Sequence, residues 1–247
     1  MTDLIPVVNI PPQSHSSLEV FMTCPKQYYH KYVARDVKFQ PSYASEWGDN
    51  AHKHLELYIK ASGNYTIPDE RHKDTGQSMR DYQWVADALL NRAAQRGGYV
   101  LAERQFAVDR NHDTAGYWDK DAWLRGKIDV TIIYNGLGEA EVYDYKTGKK
   151  KSEVEQAKLY SASALVDYSN IHRVKAGYIW LKLPQEQMID KPITYTRNDL
   201  ATMWQPFEQK YAALAEAYTS GVFPPKPNPL CKNWCDCPCQ FNGRGII

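Results

Sequence analysis

The sequence predicts an α/β fold, a central mixed β-sheet flanked by helices. Strand-like runs at 99–108, 122–134, 140–146 and 173–183 alternate with helix-period segments at 75–96, 152–168 and 198–220. Between the second and third runs, Asn135-Gly136-Leu137-Gly138 supplies a turn that folds them into a hairpin. The chain has 247 residues, 43% of them hydrophobic, which suits one large domain with its own core. We expect one domain over 1–247: a helical part at 14–98, a core at 99–220 and a Cys-rich segment at 221–247.

Residues 1–13 read as an extended lead-in. Ser16-Ser17-Leu18-Glu19 fits a capping box with Ser16 as N-cap, and Pro25 suits the first turn of a second helix carrying Tyr28, Tyr29 and Tyr32. A third helix begins near Asp49 or Asn50 as cap and runs to about Ser62, with His52, Leu55, Glu56 and Ile59 on one face. A polar loop at 63–74 precedes the helix at 75–96, whose seam is Met79, Tyr82, Val85, Leu89 and Ala93, ended by Gly97-Gly98. Tyr99 to Val108 is a strand with Glu103 inside it, and 109–121 is a loop. In the strand at 122–134, Trp123, Arg125, Lys127, Asp129 and Thr131 alternate with Leu124, Gly126, Ile128, Val130 and Ile132. The helix from Ser152 carries Gln156 and Tyr160 one turn apart. A β-rich run follows, then an edge strand at 187–196, then a helix capped by Asn198 and stopped by Gly221.

The net charge of +1 excludes a global basic surface, so nucleic-acid contact would have to be local. No run approaches the ~20 apolar residues of a membrane span, and the N-terminus lacks the pattern of a signal peptide. A cytoplasmic setting is therefore expected. Cys24 stands apart, while Cys231, Cys235, Cys237 and Cys239 crowd the C-terminus. In a reducing compartment this crowding suggests metal ligation rather than disulfides.

The chemistry concentrates at Val142-Tyr143-Asp144-Tyr145-Lys146-Thr147-Gly148. On a strand, Asp144 and Lys146 project from the same face. A carboxylate suited to Mg2+ or Mn2+ beside an ammonium fits metal-dependent phosphodiester hydrolysis, although taken alone the pair reads first as a surface ion pair at an exposed strand end. The hairpin would bring Asp129 near Asp144.

In chain order the sequence carries Cys24-Pro25-Lys26-Gln27-Tyr28-Tyr29, Gly48-x-x-x-His52, Gly126-Lys127-Ile128-Asp129, Asp144-Tyr145-Lys146-Thr147-Gly148 and Gln156-x-x-x-Tyr160. This set resembles the PD-(D/E)XK nuclease superfamily in its RecB-like branch, similar to phage and CRISPR-associated RecB-like exonucleases. The resemblance implies a restriction-endonuclease-like core and a metal-dependent DNA nuclease, exonuclease rather than endonuclease. Its setting would be recombination, repair or phage DNA processing, in a bacterial or phage-infected cell, with DNA as partner and a recombination or single-strand-annealing protein as a further one. It implies that His52, Asp129, Asp144 and the Tyr145 carbonyl hold Mg2+ or Mn2+. Lys146 would orient or activate water, and Gln156 and Tyr160 would position the lysine or the DNA backbone. Glu103 reads either as a support for the site or as a strand-edge carboxylate. Lys127 and the lysines at 149–151 would meet phosphates or line a solvated turn. Cys24 with Cys231, Cys235 and Cys239 is the ligand set implied for a [4Fe–4S] cluster; a zinc site of the C-terminal thiols and plain reduced thiols are the alternatives. A non-catalytic DNA-end-binding or scaffold protein on the same fold is the rival function.

Overall fold

A five-stranded mixed sheet with helices on both faces organises the computed structural model, which describes residues 9–37, 41–150 and 154–243. Strands β1 (Tyr99–Val108), β2 (Leu124–Tyr134), β3 (Glu139–Lys146), β4 (Arg173–Trp180) and β5 (Ile193–Thr196) lie in chain order across the sheet. Pairing is antiparallel except between β3 and β4, which are parallel. Helix α5 (Val154–Asp167) makes the crossover that a parallel pair requires. The lead-in before Asn9, Lys151 and the expected helix start at Ser152 lie outside the described residues.

Two cores sandwich the sheet. One packs α1 (His15–Thr23), α2 (Pro25–Tyr28), α5 and α7 (Leu200–Ser220) against Ala140, Val142, Val174 and Ala176. The other packs α3 (Tyr43–Lys60) and α4 (Gln83–Gln95) against Val130, Ile132, Tyr143 and Ile179. The seam Met79, Tyr82, Val85, Leu89 and Ala93 is fully engaged in this second core.

Several boundaries differ from the sequence reading. The first helix is capped by Ser14, reciprocally with Ser17, rather than by Ser16; the hydroxyl of Ser17 also bonds the buried Gln13, a tertiary contact that selects among neighbouring serines. Helix α3 starts at Tyr43 with Ser42 as its cap, so Asp49 and Asn50 lie inside it. Residues 75–78 are not helical: Ser78 caps a short 3-10 turn, Met79–Tyr82, that leads into α4. The expected strand at 187–196 is shared between α6 (Gln185–Met188) and the shorter β5. Thr196, not Asn198, makes the capping box before α7, reciprocally with Asp199.

The side-chain alternation of β2 breaks at Asp129. Leu124 and Ile128 face the α5–α7 core, whereas Val130 and Ile132 face the α3–α4 core. Strand β1 switches with it: Val100 and Ala102 pack on the α3–α4 side, and Phe106 and Val108 on the other. The pivot is Glu103, a non-glycine residue at φ 53°. Ladder pairs flank it at Ala102↔Val130 and Arg104↔Ile128. Left-handed backbone at such a residue is strained and tends to mark functional sites.

Arg104 locks this pivot to α5. Its guanidinium is buried, donating to Thr131 Oγ1 at 3.2 Å and Ser163 Oγ at 2.9 Å and pairing with Asp167. Burial pushes the Asp167 carboxyl above its ordinary value, against the pull of Arg104. Arg104→Ala strands this carboxylate and is expected to cost about 3 kcal/mol. A folded-state pKa above the unfolded value means that the native state favours the proton. The deficit should therefore be largest near pH 7 and shrink as pH falls through the raised value. Urea unfolding at neutral and mildly acidic pH measures both.

Candidate active site

The β2–β3 ladder ends at Val130↔Tyr143. Beyond it the strands part, while β3 stays paired with β4 as far as Lys146↔Trp180. The Tyr145 N–H, on the side β2 has left, donates to the Asp129 carboxylate at 2.6 Å. The gap thus holds a carboxylate in place of a strand partner.

Three elements aim donors into this gap. Asp129 comes from β2, Glu103 from the pivot of β1 and His52 from α3. One ligand atom from each lies within 4.8 Å of the others, close enough for one metal ion. His52 Nδ1 is 3.3 Å from Asp129 Oδ1, and its ring meets the Tyr145 ring edge-on at 5.5 Å. Helix α3 approaches this closely because residue 48 is glycine: a Cβ there would stand 2.8 Å from Thr147 Oγ1. That contact gives the Gly-x-x-x-His spacing a physical reason, since a glycine one helical turn before His52 seats the helix on the end of β3.

Asp144 and Lys146 lie on the α5 side of β3. Gln156 bridges them: its amide oxygen accepts from Lys146 Nζ at 2.7 Å, and its Nε2 donates to Asp144 Oδ1 at 3.0 Å and to the Tyr160 hydroxyl at 2.7 Å. Tyr160 donates to Asp144 Oδ1 at 3.3 Å, and Lys146 Nζ is 2.8 Å from Asp144 Oδ2. The ammonium also sits 5.4 Å from the centroid of the Tyr178 ring. The structure therefore brings together His52, Asp129, Asp144, Lys146, Gln156 and Tyr160. Glu103 joins His52 and Asp129, while both oxygens of Asp144 are engaged by α5 and Lys146. The signal for Glu103 is weak in the sequence, because nothing local announces its left-handed backbone.

The site is crowded with negative charge. Burial, then the neighbouring Asp129, push Asp144 up to about 6 against the pull of Lys146. Burial and Asp129 likewise raise Glu103, with Lys127 opposing. Burial disfavours the His52 cation, but Asp129, Asp144 and Glu103 outweigh it and hold the imidazole above its ordinary value. Carboxyl groups so placed repel one another, and a bound cation would relieve them all.

Residues 12–240 match the family model of the PD-(D/E)XK nuclease superfamily. The chain belongs to that superfamily. Nucleases of this superfamily generally use divalent metals, and the cluster of His52, Glu103 and Asp129 fits one. The fold is similar to the crystal structure of a candidate exonuclease from Eubacterium rectale, with a TM-score of 0.51 at 12% identity, covering 100% of this chain and 93% of that one. No curated protein matches the sequence. Among the described residues no helix is long and apolar enough to cross a membrane.

A second cluster joins the two ends of the described chain. All five cysteines, including Cys24, line one small pocket with Pro225, Pro227, Phe241 and Asn242. The Lys226 N–H points at Cys24 Sγ and the Asn228 N–H at Cys231 Sγ, both at 3.4 Å. Asn242 Nδ2 donates to the carbonyls of Cys235 and Cys237 at 2.9 Å and so fixes the loop between them. Burial, then Cys235, push the Cys237 thiol up to about 12, with Lys31 opposing and Cys24 adding to the rise.

Proposed function

We propose that this protein is a metal-dependent DNA nuclease of the RecB-like branch, acting as an exonuclease in recombination, repair or phage DNA processing. One juxtaposition carries the reading: a His52–Glu103–Asp129 donor set next to a lysine held by Asp144 and Gln156. His52, Glu103 and Asp129, with Asp144 and the Tyr145 carbonyl beside them, would hold Mg2+ or Mn2+. Such an ion supplies a more acidic bound water and neutralises charge developing on the phosphate. Asp129 also fixes the β3 backbone through Tyr145 N–H, and in a strand the carbonyl of that residue points to the same side as its N–H. Gln156 and Tyr160 hold Asp144 and Lys146 in one orientation; the ammonium places positive charge where the attacking water and the phosphate oxygens meet. Lys127, half exposed on its side chain, and Lys149, in the exposed turn after Gly148, add charge for phosphates.

Digestion of 5′- and 3′-labelled single and double strands with Mg2+, Mn2+ or EDTA tests the reading. Stepwise shortening that chelation stops is expected; binding without cleavage in every metal would leave a scaffold role instead. Within the site, Lys146→Ala should lower turnover at least a hundredfold, a loss of about 2.7 kcal/mol of barrier stabilisation, with little change in the metal concentration for half-activity. His52→Ala should shift that concentration upward and change the ratio of Mn2+ to Mg2+ activity, because imidazole suits Mn2+ better than Mg2+. An unaltered metal titration in the histidine variant would remove His52 from the ligand set.

We propose further that Cys24, Cys231, Cys235 and Cys239 hold a [4Fe–4S] cluster. The shared pocket supports it, because a purely C-terminal zinc site has no need of Cys24.

A further inference from the structure

The outer part of the β1–β2 hairpin lies on the far side of Asp129 from the β2–β3 ladder, and of its residues only Lys127 has a place in the site described above. One face of it is sealed: Phe106, Val108, Leu124 and Ile128 belong to the α5–α7 core. Arg125 and Lys127 alternate with those residues along β2, two and four positions before Asp129 in reverse order. Arg125 is half-buried and Lys127 exposed, and the ion pair of Lys127 with Glu103 is loose at 3.6 Å. At 3.2–3.4 Å of strand per residue, Lys127 stands about 7 Å and Arg125 about 13 Å from Asp129.

The row continues into the loop before β2. Trp118 is 77% exposed, more than any other large hydrophobic among the described residues. A single exposed aromatic is ordinary; this one is held in place. The Arg125 guanidinium lies 5.3 Å from the Tyr117 ring centroid and 5.2 Å from that of Trp118. Arg125 also donates to the Tyr117 carbonyl at 3.2 Å. The two rings meet edge-to-face at 5.0 Å, and Asp119 closes the turn by accepting from Gly116 N–H at 2.7 Å. The indole is thus fixed at the surface by the cation that begins the row toward Asp129.

We infer that Trp118, Arg125 and Lys127 form a track for single-stranded nucleic acid leading to the Asp129 end of the site. Trp118 stacks on an unpaired base, and Arg125 and Lys127 meet the phosphates between that base and the scissile one. The inference rests on the nuclease reading above for where the strand ends. The occupant is a single strand because only an unstacked base offers its face to an indole. Two residues of β-strand advance a cation by about 7 Å, on the order of one step of an extended polynucleotide. The net charge of +1 leaves attraction to local rows of this kind.

The test is binding of a fluorescein-labelled oligothymidylate in EDTA, by anisotropy, beside a duplex of equal length. Trp118→Ala should weaken single-strand binding on the order of tenfold and change duplex binding less than about twofold; Trp118→Phe should keep most of the affinity. Lys127→Ala should weaken binding and reduce the slope of log affinity against log salt by about one. Arg125→Ala should lose more than either, since it removes a phosphate contact and the support of Trp118. With Mg2+ or Mn2+, Trp118→Ala should raise KM for single strands more than it lowers kcat. Because the indole is exposed, its melting temperature should match that of the wild type, which separates this effect from misfolding. Absent single-strand binding by the wild type, unchanged affinity in Trp118→Ala and Lys127→Ala, or equal losses on single strand and duplex, would overturn the track. Binding as described without digestion in any metal would reject the nuclease reading and leave the track standing. Digestion with unaffected variants would do the reverse.

Discussion

Asp129→Asn and Asp144→Asn, made separately, are each expected to leave a folded protein that cuts DNA more than a thousandfold slower, at least about 4 kcal/mol of lost barrier stabilisation. The two act differently. Asp129 lies in the donor set with His52 and Glu103 and also accepts the Tyr145 N–H. Asparagine keeps an oxygen for that N–H and loses the charge that a cation needs; alanine would leave the N–H without its acceptor, at about 1–3 kcal/mol of stability. Asp144 joins Lys146 to Gln156 and Tyr160. Its charge is costly to the apo protein, since burial and Asp129 together raise its carboxyl to about 6. Neutralising it relieves that repulsion and offsets the lost pairing with Lys146, so thermal stability without metal should change little. Removing a negative charge beside the phosphate path should preserve or strengthen DNA binding. Single-turnover cleavage, melting temperature and binding in EDTA separate these effects. Retention of more than a tenth of the wild-type rate in both variants would sink the assignment.

The motifs that reveal this site are local in sequence, and that is why they are legible. Asp144 and Lys146 share a strand face, and Gln156 and Tyr160 share a helix face, by periodicities of two and about four; the structure joins the pairs through a single amide. Gly48 and His52 are one turn apart, and the contact that requires the glycine is with Thr147 of the same β3 stretch. Strand β1 is equally legible, because Gly97-Gly98 and the loop after Val108 bound it. Long-range choices are less so. Ser14, Ser16 and Ser17 all satisfy capping grammar, and the buried Gln13, which also takes a hydrogen bond from Tyr28, decides between them. Asp49 and Asn50 have cap chemistry, yet they sit inside α3 because Trp47 and Ala51 bury against α4 and fix an earlier start. The left-handed backbone at Glu103 has no sequence signature; it follows from two strands exchanging faces at one point, and that exchange brings Glu103 into the donor set.

Protein purified without air is expected to be brown, with broad absorption near roughly 400 nm from thiolate-to-iron charge transfer. Cys24→Ser should bleach it and lower the melting temperature sharply. Cys24 sits between α1 and α2, buried, and shares its pocket with four thiols more than 200 residues later. Direct contacts between these ends include Lys26 N–H to the Pro224 carbonyl at 3.2 Å, Lys226 Nζ to the Met22 carbonyl at 2.9 Å and the Phe223 ring stacked on Tyr28. A cluster bridging them would add ligation energy to a junction otherwise held by packing, and such energy is folding energy. Serine at position 24 keeps the size of the side chain and an acceptor for Lys226 N–H. If Cys24 is a plain buried thiol, that change should therefore cost only about 1 kcal/mol. Cys237→Ser serves as the internal comparison. That thiol lies outside the assigned ligands, so the colour should persist while stability falls modestly with the burial of a hydroxyl. A zinc site would give a colourless protein with about one zinc per chain, insensitive to Cys24→Ser. Colourless protein with neither metal would return all five cysteines to packing, and Cys24→Ser would then melt close to the wild type.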